Sequence, residues 1–423
     1  MPDKEIKFLK EHLTTAWGFL EDIYVVRAEG VYLHTADGKR YTDFTSGHAV
    51  CNIGHNHPAV VEAIREQAGN LIHSGGTFYY PSLYELAIRL KDITPKGLDR
   101  FFFSNSGSEV VEGAIKLARY HTGRQGIIAF TGSFHGRTYG AMSLTSSSSK
   151  YRTHYHPLLP SVYHAEYPYC YRGPGDCVGR SLDSIDYLFK NMISPRGVAA
   201  FIIEPVLGEG GYTPAPAAFL ERLREICDDH GILLIFDEVQ SGMGRTSRWF
   251  ALEHSNVVPD IITVAKGIAS GLPLSALISK PGIMDDWERG AHGTTFGGNP
   301  VACAAAAATI DVIRNEGLLK SSERLSRGVL TRLAGLMEDN PVIGDVRGLG
   351  FMIGVEFVKN GKEPDPNSLA KVRAYCFDRG LLLLDAGTER NVLRFIPPLN
   401  TTEEQMDWAL TIFEDAVRSL RTG

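Results

Sequence analysis

The sequence predicts an α/β protein, with a large, mostly parallel sheet covered by helices on both faces and a smaller α+β unit beside it. Three observations predict it. Through roughly residues 61–305, short continuous apolar runs alternate with amphipathic segments, the pattern of strands buried on both faces. After residue 305 two long helical stretches are followed by strand-like runs separated by helices. The first 60 residues carry a hairpin signal instead. Three segments follow: 61–305 as the large unit, and 1–60 with 306–423 as a small unit assembled from both ends of the chain.

The elements run as follows. A helix spans Glu5 to Trp17, and Val31 to Leu33 pairs with Tyr41 to Phe44 across an Asp37-Gly38 turn. Helices follow over Pro58 to Ile72 and Pro81 to Ile93. The strand Phe101 to Phe103 leads into a helix from Ser108 to Tyr120. Further strands are Ile127 to Phe130, Val198 to Ile203, Ile232 to Phe236, Ile261 to Val264 and Leu274 to Ser279, with a clear helix over Ala217 to His230. Beyond them come helices Pro300 to Arg314 and Leu318 to Glu338, then one strand, Val346 to Val358, with a glycine bend. A helix at Ser368 to Arg379, strands Leu381 to Leu384 and Val392 to Ile396, and a helix from Glu403 to Leu420 complete the chain.

Composition narrows the function. The 423 residues carry 43 Lys+Arg against 49 Asp+Glu, with 43% hydrophobic and 22% charged residues, which excludes disorder, collagen and a disulfide-stapled miniprotein. No Lys/Arg block is present, so neither nucleic acid nor an anionic membrane is expected as partner. The most apolar run, Val301 to Ile310, falls short of the roughly 20 residues that cross a bilayer. The opening Met1-Pro2-Asp3-Lys4-Glu5 lacks the apolar core of a secretory signal, so a cytoplasmic location is expected. The six cysteines show no C-x-x-C spacing and are expected as reduced thiols. Gly54-His55-Asn56-His57-Pro58 reads as a turn rather than a metal site, with no carboxylate near it in sequence.

Ligands of a parallel sheet bind beyond the carboxyl ends of its strands, and three strand ends carry polar groups that are costly to bury. Phe101 to Phe103 runs into Ser104-Asn105-Ser106-Gly107-Ser108-Glu109, a helix start that either binds an anion or is a plain N-cap. Ile232 to Phe236 ends in Asp237, and Ile261 to Ala265 ends in Lys266. The two form either a salt bridge, or a nucleophilic amine beside a carboxylate that faces another cation. Pyridoxal phosphate accounts for all three ends: it needs a phosphate cup, a lysine for the Schiff base and a carboxylate on its ring nitrogen. Phe134, in Phe134-His135-Gly136-Arg137, is placed to cover the ring.

These motifs, with Glu204-Pro205, Gly208-Glu209-Gly210-Gly211, Asp237-Glu238-Val239-Gln240-Ser241-Gly242, Gly244-Arg245-Thr246 and Thr294-Thr295-Phe296-Gly297-Gly298-Asn299-Pro300, resemble those of class III aminotransferases from Gly30 to about Pro398. These are fold type I pyridoxal-phosphate enzymes that include 4-aminobutyrate and other ω-aminotransferases. The resemblance implies an amino donor and a 2-oxo acid (pyruvate or 2-oxoglutarate) as substrates. It assigns Lys266 as the Schiff-base lysine and proton shuttle, Asp237 as partner of the ring nitrogen, and Gln240 as donor to the ring oxygen. Ser106, Gly107 and Ser108 match the phosphate loop, Phe134 and Val239 the ring sandwich, and His135 and Glu204 further cofactor contacts. Thr295 matches a residue reaching the phosphate of a neighbouring subunit, so a homodimer, or a tetramer, is implied. Arg394 matches the carboxylate-binding arginine and Glu209 the acid that pairs with it, though a permanent structural salt bridge is the alternative for Arg394. Arg137 and His48 belong to the substrate side.

Departures are few: Ser247 stands where glycine is common, Leu207 where glutamine is frequent, and His48 where apolar residues are usual. A nicotinamide dehydrogenase is excluded by the lack of a strand-linked G-x-G-x-x-G, since Gly348-Leu349-Gly350 is followed by Ile353. A non-catalytic binding protein has no use for a strand-end lysine and aspartate in register. An amino-acid racemase or epimerase on the same scaffold shares every one of these groups and stays open.

Overall fold

The computed structural model describes residues 2–173 and 175–420. Its strands are β1 (Val25–Glu29), β2 (Tyr32–Thr35), β3 (Arg40–Asp43), β4 (Arg100–Ser104), β5 (Gly126–Phe130), β6 (Val162–Ala165), β7 (Val198–Ile203), β8 (Leu233–Asp237), β9 (Ile261–Val264) and β10 (Ser275–Ser279). They continue with β11 (Ile343–Leu349), β12 (Met352–Lys359), β13 (Glu363–Pro364), β14 (Leu381–Leu382), β15 (Leu384–Ala386) and β16 (Val392–Phe395).

The large sheet has the order β4-β10-β9-β8-β7-β5-β6. Only β10 runs antiparallel to its neighbours, so β4, β5, β7, β8 and β9 all end on one edge. Alternation along each strand divides the core into two layers. Ile127, Ala129, Leu233, Ile235 and Ile261 face the helix Gly107–Thr122. Ile128, Phe130, Leu234, Phe236 and Ile262 join the opposite layer with Phe219, Leu223 and Cys227 of the helix Ala217–His230. Both faces are covered, which is why the central strands β5, β7 and β8 read as near-continuous apolar runs.

A second sheet, β1-β2-β3-β14, joins the ends of the chain, because β14 pairs in parallel with β3 through Leu381↔Thr42. A third contains β11-β12-β16-β15, with β13 on β12. The helix Pro300–Asn315 runs unbroken through residue 305 and packs on the helices Pro58–Asn70 and Pro81–Ile93.

Several expectations need correction. The first helix is Pro2–His12, shorter than Glu5 to Trp17. The expected single strand Val346 to Val358 is an antiparallel hairpin, Leu349↔Met352, because Gly350 takes a positive φ (+54°) and reverses the chain. The run Leu381 to Leu384 splits between two sheets. β1, β6 and the helix Cys177–Asn191 were not anticipated. Cys170 and Cys177, expected as thiols, form a disulfide: the intervening turn folds back and brings their Cα atoms to 5.0 Å. Cys51, Cys227, Cys303 and Cys376 are free. His55 and His57, read as turn residues with no carboxylate near in sequence, pair with ones distant in sequence, a detail added to that reading rather than a change of it: Asp43 at 2.8 Å and Glu316 at 3.1 Å. Among the described residues no helix is long and apolar enough to cross a membrane.

Candidate active site

Beyond the shared strand edge lies a cavity of about 350 Å³, within the roughly 300–1,000 Å³ of small-ligand sites. Ser106, Gly107, Ser108, Phe134, His135, Arg137, Glu204, Asp237, Val239, Gln240 and Lys266 all line it, with Val50 and Leu272 to Leu274.

β4 ends at Ser104, and Ser106 caps the next helix, its Oγ accepting from Glu109 N at 3.3 Å. The Glu109 carboxylate reaches back to Asn105 N and Nδ2, both at 2.9 Å. The N-cap therefore leaves room for an anion at the same helix start. The cap engages Glu109 N, while the first-turn N–H groups of Gly107 and Ser108 have no helix carbonyl to bond. Ser108 Oγ accepts from Arg137 N at 3.0 Å, closing the cup with the loop after β5. Glycine is required on both sides. A Cβ on Gly107 would lie 2.9 Å from Val239 Cγ1, and one on Gly136 (φ +137°) would lie 2.3 Å from Ser108 Oγ.

Asp237 is the last residue of β8 and is buried. Its Oδ2 meets His135 Nδ1 at 2.7 Å, and its Oδ1 accepts from Thr263 Oγ1 at 3.0 Å and Val239 N at 3.1 Å. No salt bridge joins it to Lys266. Among the described residues nothing pairs with Lys266 Nζ, and desolvation lowers the amine's pKa from its ordinary value. Lys266 also holds a left-handed φ of +47°, rare for a side chain of its kind and found where function fixes the backbone.

Glu204 follows β7 and bridges two loops, accepting from Phe134 N at 2.8 Å and Gly208 N at 2.9 Å. Burial raises its pKa to about 7. Gln240 Oε1 accepts from the Tyr212 hydroxyl at 2.7 Å, which leaves its amide N–H₂ for the cavity.

Of the residues expected on the substrate side, Arg394 in β16 is buried and meets Glu209 Oε1 at 2.8 Å, with its guanidinium 5.6 Å from the Tyr212 ring centroid. Burial opposes both charges, but each partner holds the other ionised: Glu209 sits below its ordinary pKa and Arg394 above. His48 lies within electrostatic reach of both and of Lys266, and desolvation and the Arg394 charge push it down. It belongs to a run of four positive-φ residues, Ser46 to Ala49, anchored by Ser46 Oγ donating to Ile396 O and by the Asp43–His55 pair. Arg137 stacks over Tyr151 at 4.0 Å.

Thr295 is not brought in. It is exposed, on a loop tied to the cup through Asn105 Nδ2 donating to Thr294 Oγ1 at 3.2 Å. Sequence reasoning missed Thr263, Tyr151 and Tyr212, and the role of His135 toward Asp237. Thr263, three residues before Lys266 on an apolar strand, was the one with a readable signal.

These groups fit pyridoxal phosphate. The helix start supplies N–H groups for an anion, Asp237 is an oriented carboxylate, and Lys266 is a half-buried amine without a partner. Buried His135 Nε2 is also left without one. Fold and site together define a pyridoxal-phosphate enzyme of fold type I. The chain belongs to the class-III aminotransferases, whose family pattern matches residues 18–417, and is a pyridoxal-phosphate-dependent transaminase. It is 40% identical over 403 residues to a probable 4-aminobutyrate aminotransferase of Bacillus subtilis, covering 93% of this chain and 92% of that one. It is 38% identical over 408 residues to an alanine/serine racemase of Pyrococcus horikoshii, covering 94% and 86%. A PLP-bound amine transaminase from an uncultivated Pseudomonas species superposes with a TM-score of 0.90 at 30% identity, over 96% of this chain and 98% of that one.

Proposed function

We propose that this transaminase moves the amino group of an ω-amino acid or amine, of the 4-aminobutyrate kind, to a 2-oxo acid such as pyruvate or 2-oxoglutarate. The two half-reactions alternate at one site. The observation that carries this reading is the buried Glu209–Arg394 pair. An enzyme that takes a donor without an α-carboxylate and then an acceptor with one needs a cation that can be neutralised and released. A racemase takes one substrate class and has no use for the exchange.

Pyridoxal phosphate, when bound, supplies the carbonyl that receives the amino group and the ring that takes up the electron pair freed at the substrate carbon. This chain's residues do the rest. Gly107 and Ser108 N–H groups hold the phosphate with Ser106, and Phe134 and Val239 enclose the ring. Asp237, fixed by His135 and Thr263, keeps a proton on the ring nitrogen, and Gln240 donates to the ring oxygen. Lys266 Nζ, free of any ion pair among the described residues, would hold the cofactor and would take and return the proton at the substrate carbon. Arg394 binds the oxo-acid carboxylate while the Glu209 side chain moves aside, and Arg137 and His48 bound the distal end.

The same reading makes the working unit a homodimer, or a tetramer, with Thr295 completing the neighbour's phosphate site. Supporting it, Phe296 beside Thr295 is exposed, as are Ile72, Phe78, Tyr79 and Tyr84 in and after the segment that contacts its loop, with Tyr79 wholly so. His73 contacts the Phe296 ring, and Asn299 Nδ2 donates to Ile72 O. An aromatic face of this kind marks an interface. We place the enzyme in the cytoplasm, and the three sequence segments 1–60, 61–305 and 306–423 as parts of its small and large units.

The test is single-turnover kinetics of each half-reaction, followed by cofactor absorbance. Arg394→Ala should cripple the oxo-acid half-reaction far more than the ω-amine half-reaction, and Glu209→Ala should do the reverse. Equal losses in both would sink the exchange. Inversion of an α-amino acid without any need for an oxo acid would establish the racemase instead.

A further inference from the structure

The Glu209 side chain can exchange partners only if its backbone does not move with it. Three contacts fix that backbone. Gly208 N donates to Glu204 Oε2 at 2.9 Å, and Gly387 N donates to Glu209 O at 2.9 Å. Gly211 O accepts twice from one guanidinium, from Arg347 Nε at 3.1 Å and Arg347 Nη2 at 2.7 Å.

We propose that Arg347 is a positioning residue for substrate selection: it pins the loop Gly208–Gly211 so that the Glu209 side chain alone swings. Arg347 lies on β11, outside the catalytic cavity, with only 10% of its side chain exposed. Its remaining nitrogen, Nη1, bonds Asp345 Oδ2 at 2.7 Å and Glu356 Oε2 at 2.6 Å. Glu356 is in turn engaged by Tyr169 and Arg172, which flank the disulfide-bonded Cys170. The cation is thus compensated on one side by two carboxylates, and its free fork is directed at a single carbonyl.

Local shape agrees with this use. Gly211 has φ +113°, and a Cβ there would come within 3.2 Å of both Arg347 Nη2 and Val392 Cγ2. A side chain at 211 would therefore push the guanidinium from the carbonyl. On the other side of the loop, a Cβ on Gly210 would meet Gly132 O at 2.4 Å. A planar fork can deliver two parallel bonds to one acceptor, which an ammonium cannot do in the same place. Arg347→Lys therefore keeps the charge between Asp345 and Glu356 while losing the fork.

The functional consequence rests on the Glu209–Arg394 reading, whereas the pinning does not. The experiment uses holoenzyme carrying Arg347→Lys, Arg347→Met, Glu209→Ala and the Arg347→Lys/Glu209→Ala pair. Amide hydrogen exchange over residues 209–212 should accelerate at least tenfold in both Arg347 variants, with the rest of β11 and β12 unchanged in Arg347→Lys. The ω-amine half-reaction should slow about tenfold in Arg347→Lys and the oxo-acid half-reaction much less. In the pair, the loss should equal that of Glu209→Ala alone, because no carboxylate is left to position. Unchanged exchange over 209–212 overturns the proposal, and so does a loss in the pair equal to the product of the single losses. If Glu209→Ala slows both half-reactions equally, the reading of Glu209 falls and the exchange data alone decide the role of Arg347.

Discussion

His135 Nδ1 and Asp237 Oδ2 lie 2.7 Å apart in a pocket where both side chains are almost wholly buried. The pair answers a question the strand ends raise, namely which group faces Asp237. Lys266, just past the end of the neighbouring strand β9, does not. His135, Thr263 and Val239 N hold the carboxylate in place and leave about one of its four lone-pair sites for the cavity, while the amine has no ion-pair partner among the described residues.

Asp237→Asn is expected to bind cofactor and to lose more than nine-tenths of kcat. An ion pair in a dry site contributes several kcal/mol where charge develops, and each ~1.4 kcal/mol is tenfold in rate. Cofactor absorbance and single-turnover rates separate binding from chemistry. An Asn variant with more than about a tenth of wild-type kcat would refute the role of Asp237.

Lys266→Ala removes the only amine at the end of β9 and should abolish turnover while leaving the fold intact. The native protein should be yellow, and borohydride should fix the cofactor on the peptide containing Lys266, as mass spectrometry would show. A colourless protein that gains no colour with added pyridoxal phosphate contradicts the assignment.

The Asp43–His55 pair sets a pH dependence of stability. Burial disfavours the imidazolium, but the Asp43 hydrogen bond and the neighbouring Cys51 together outweigh it and raise the His55 pKa to about 10. A raised folded-state pKa contributes stability fully below the unfolded value, near 6.5, and loses it as pH climbs toward 10. The stability difference between wild type and His55→Gln, from urea midpoints, should therefore be largest near pH 6 and shrink by pH 10. A difference that stays constant over that range would show that His55 is neutral throughout.

The disulfide makes a countable prediction. Denatured without reductant, the protein should titrate four thiols, and all six cysteines only after reduction. A Cys170→Ser/Cys177→Ser variant should lose about 2–3 kcal/mol of stability, the loop-entropy value for so short a ring. Six thiols without reductant would restore the sequence-based expectation.

Much of this enzyme was legible in one dimension. Val198–Ile203, Ile261–Val264 and the helix Ala217–His230 stand at the residues their patterns mark. A strand buried on both faces is apolar throughout, and a helix covering it is apolar on one side, so local composition reports burial directly. The polar residues that interrupt those runs, Ser106, Asp237 and Lys266, were visible for the same reason, and each lines the cavity. Legibility failed where the pattern mixes, as in β6, whose Val-Tyr-His-Ala is no apolar run, and where glycines could mean a bend or a reversal, as at Gly348 and Gly350.

The tertiary structure decided which polar group meets which. His135 reaches Asp237 across 102 residues of chain, Arg347 reaches Gly211 across 136, and Arg394 reaches Glu209 across 185. No local pattern encodes such pairings, because they depend on where strands from distant segments return to a common edge. Sequence alone determined that a buried carboxylate and a buried arginine must be compensated. Only the packed sheets determined by what, since a buried charge takes whichever partner the fold brings within about 3 Å.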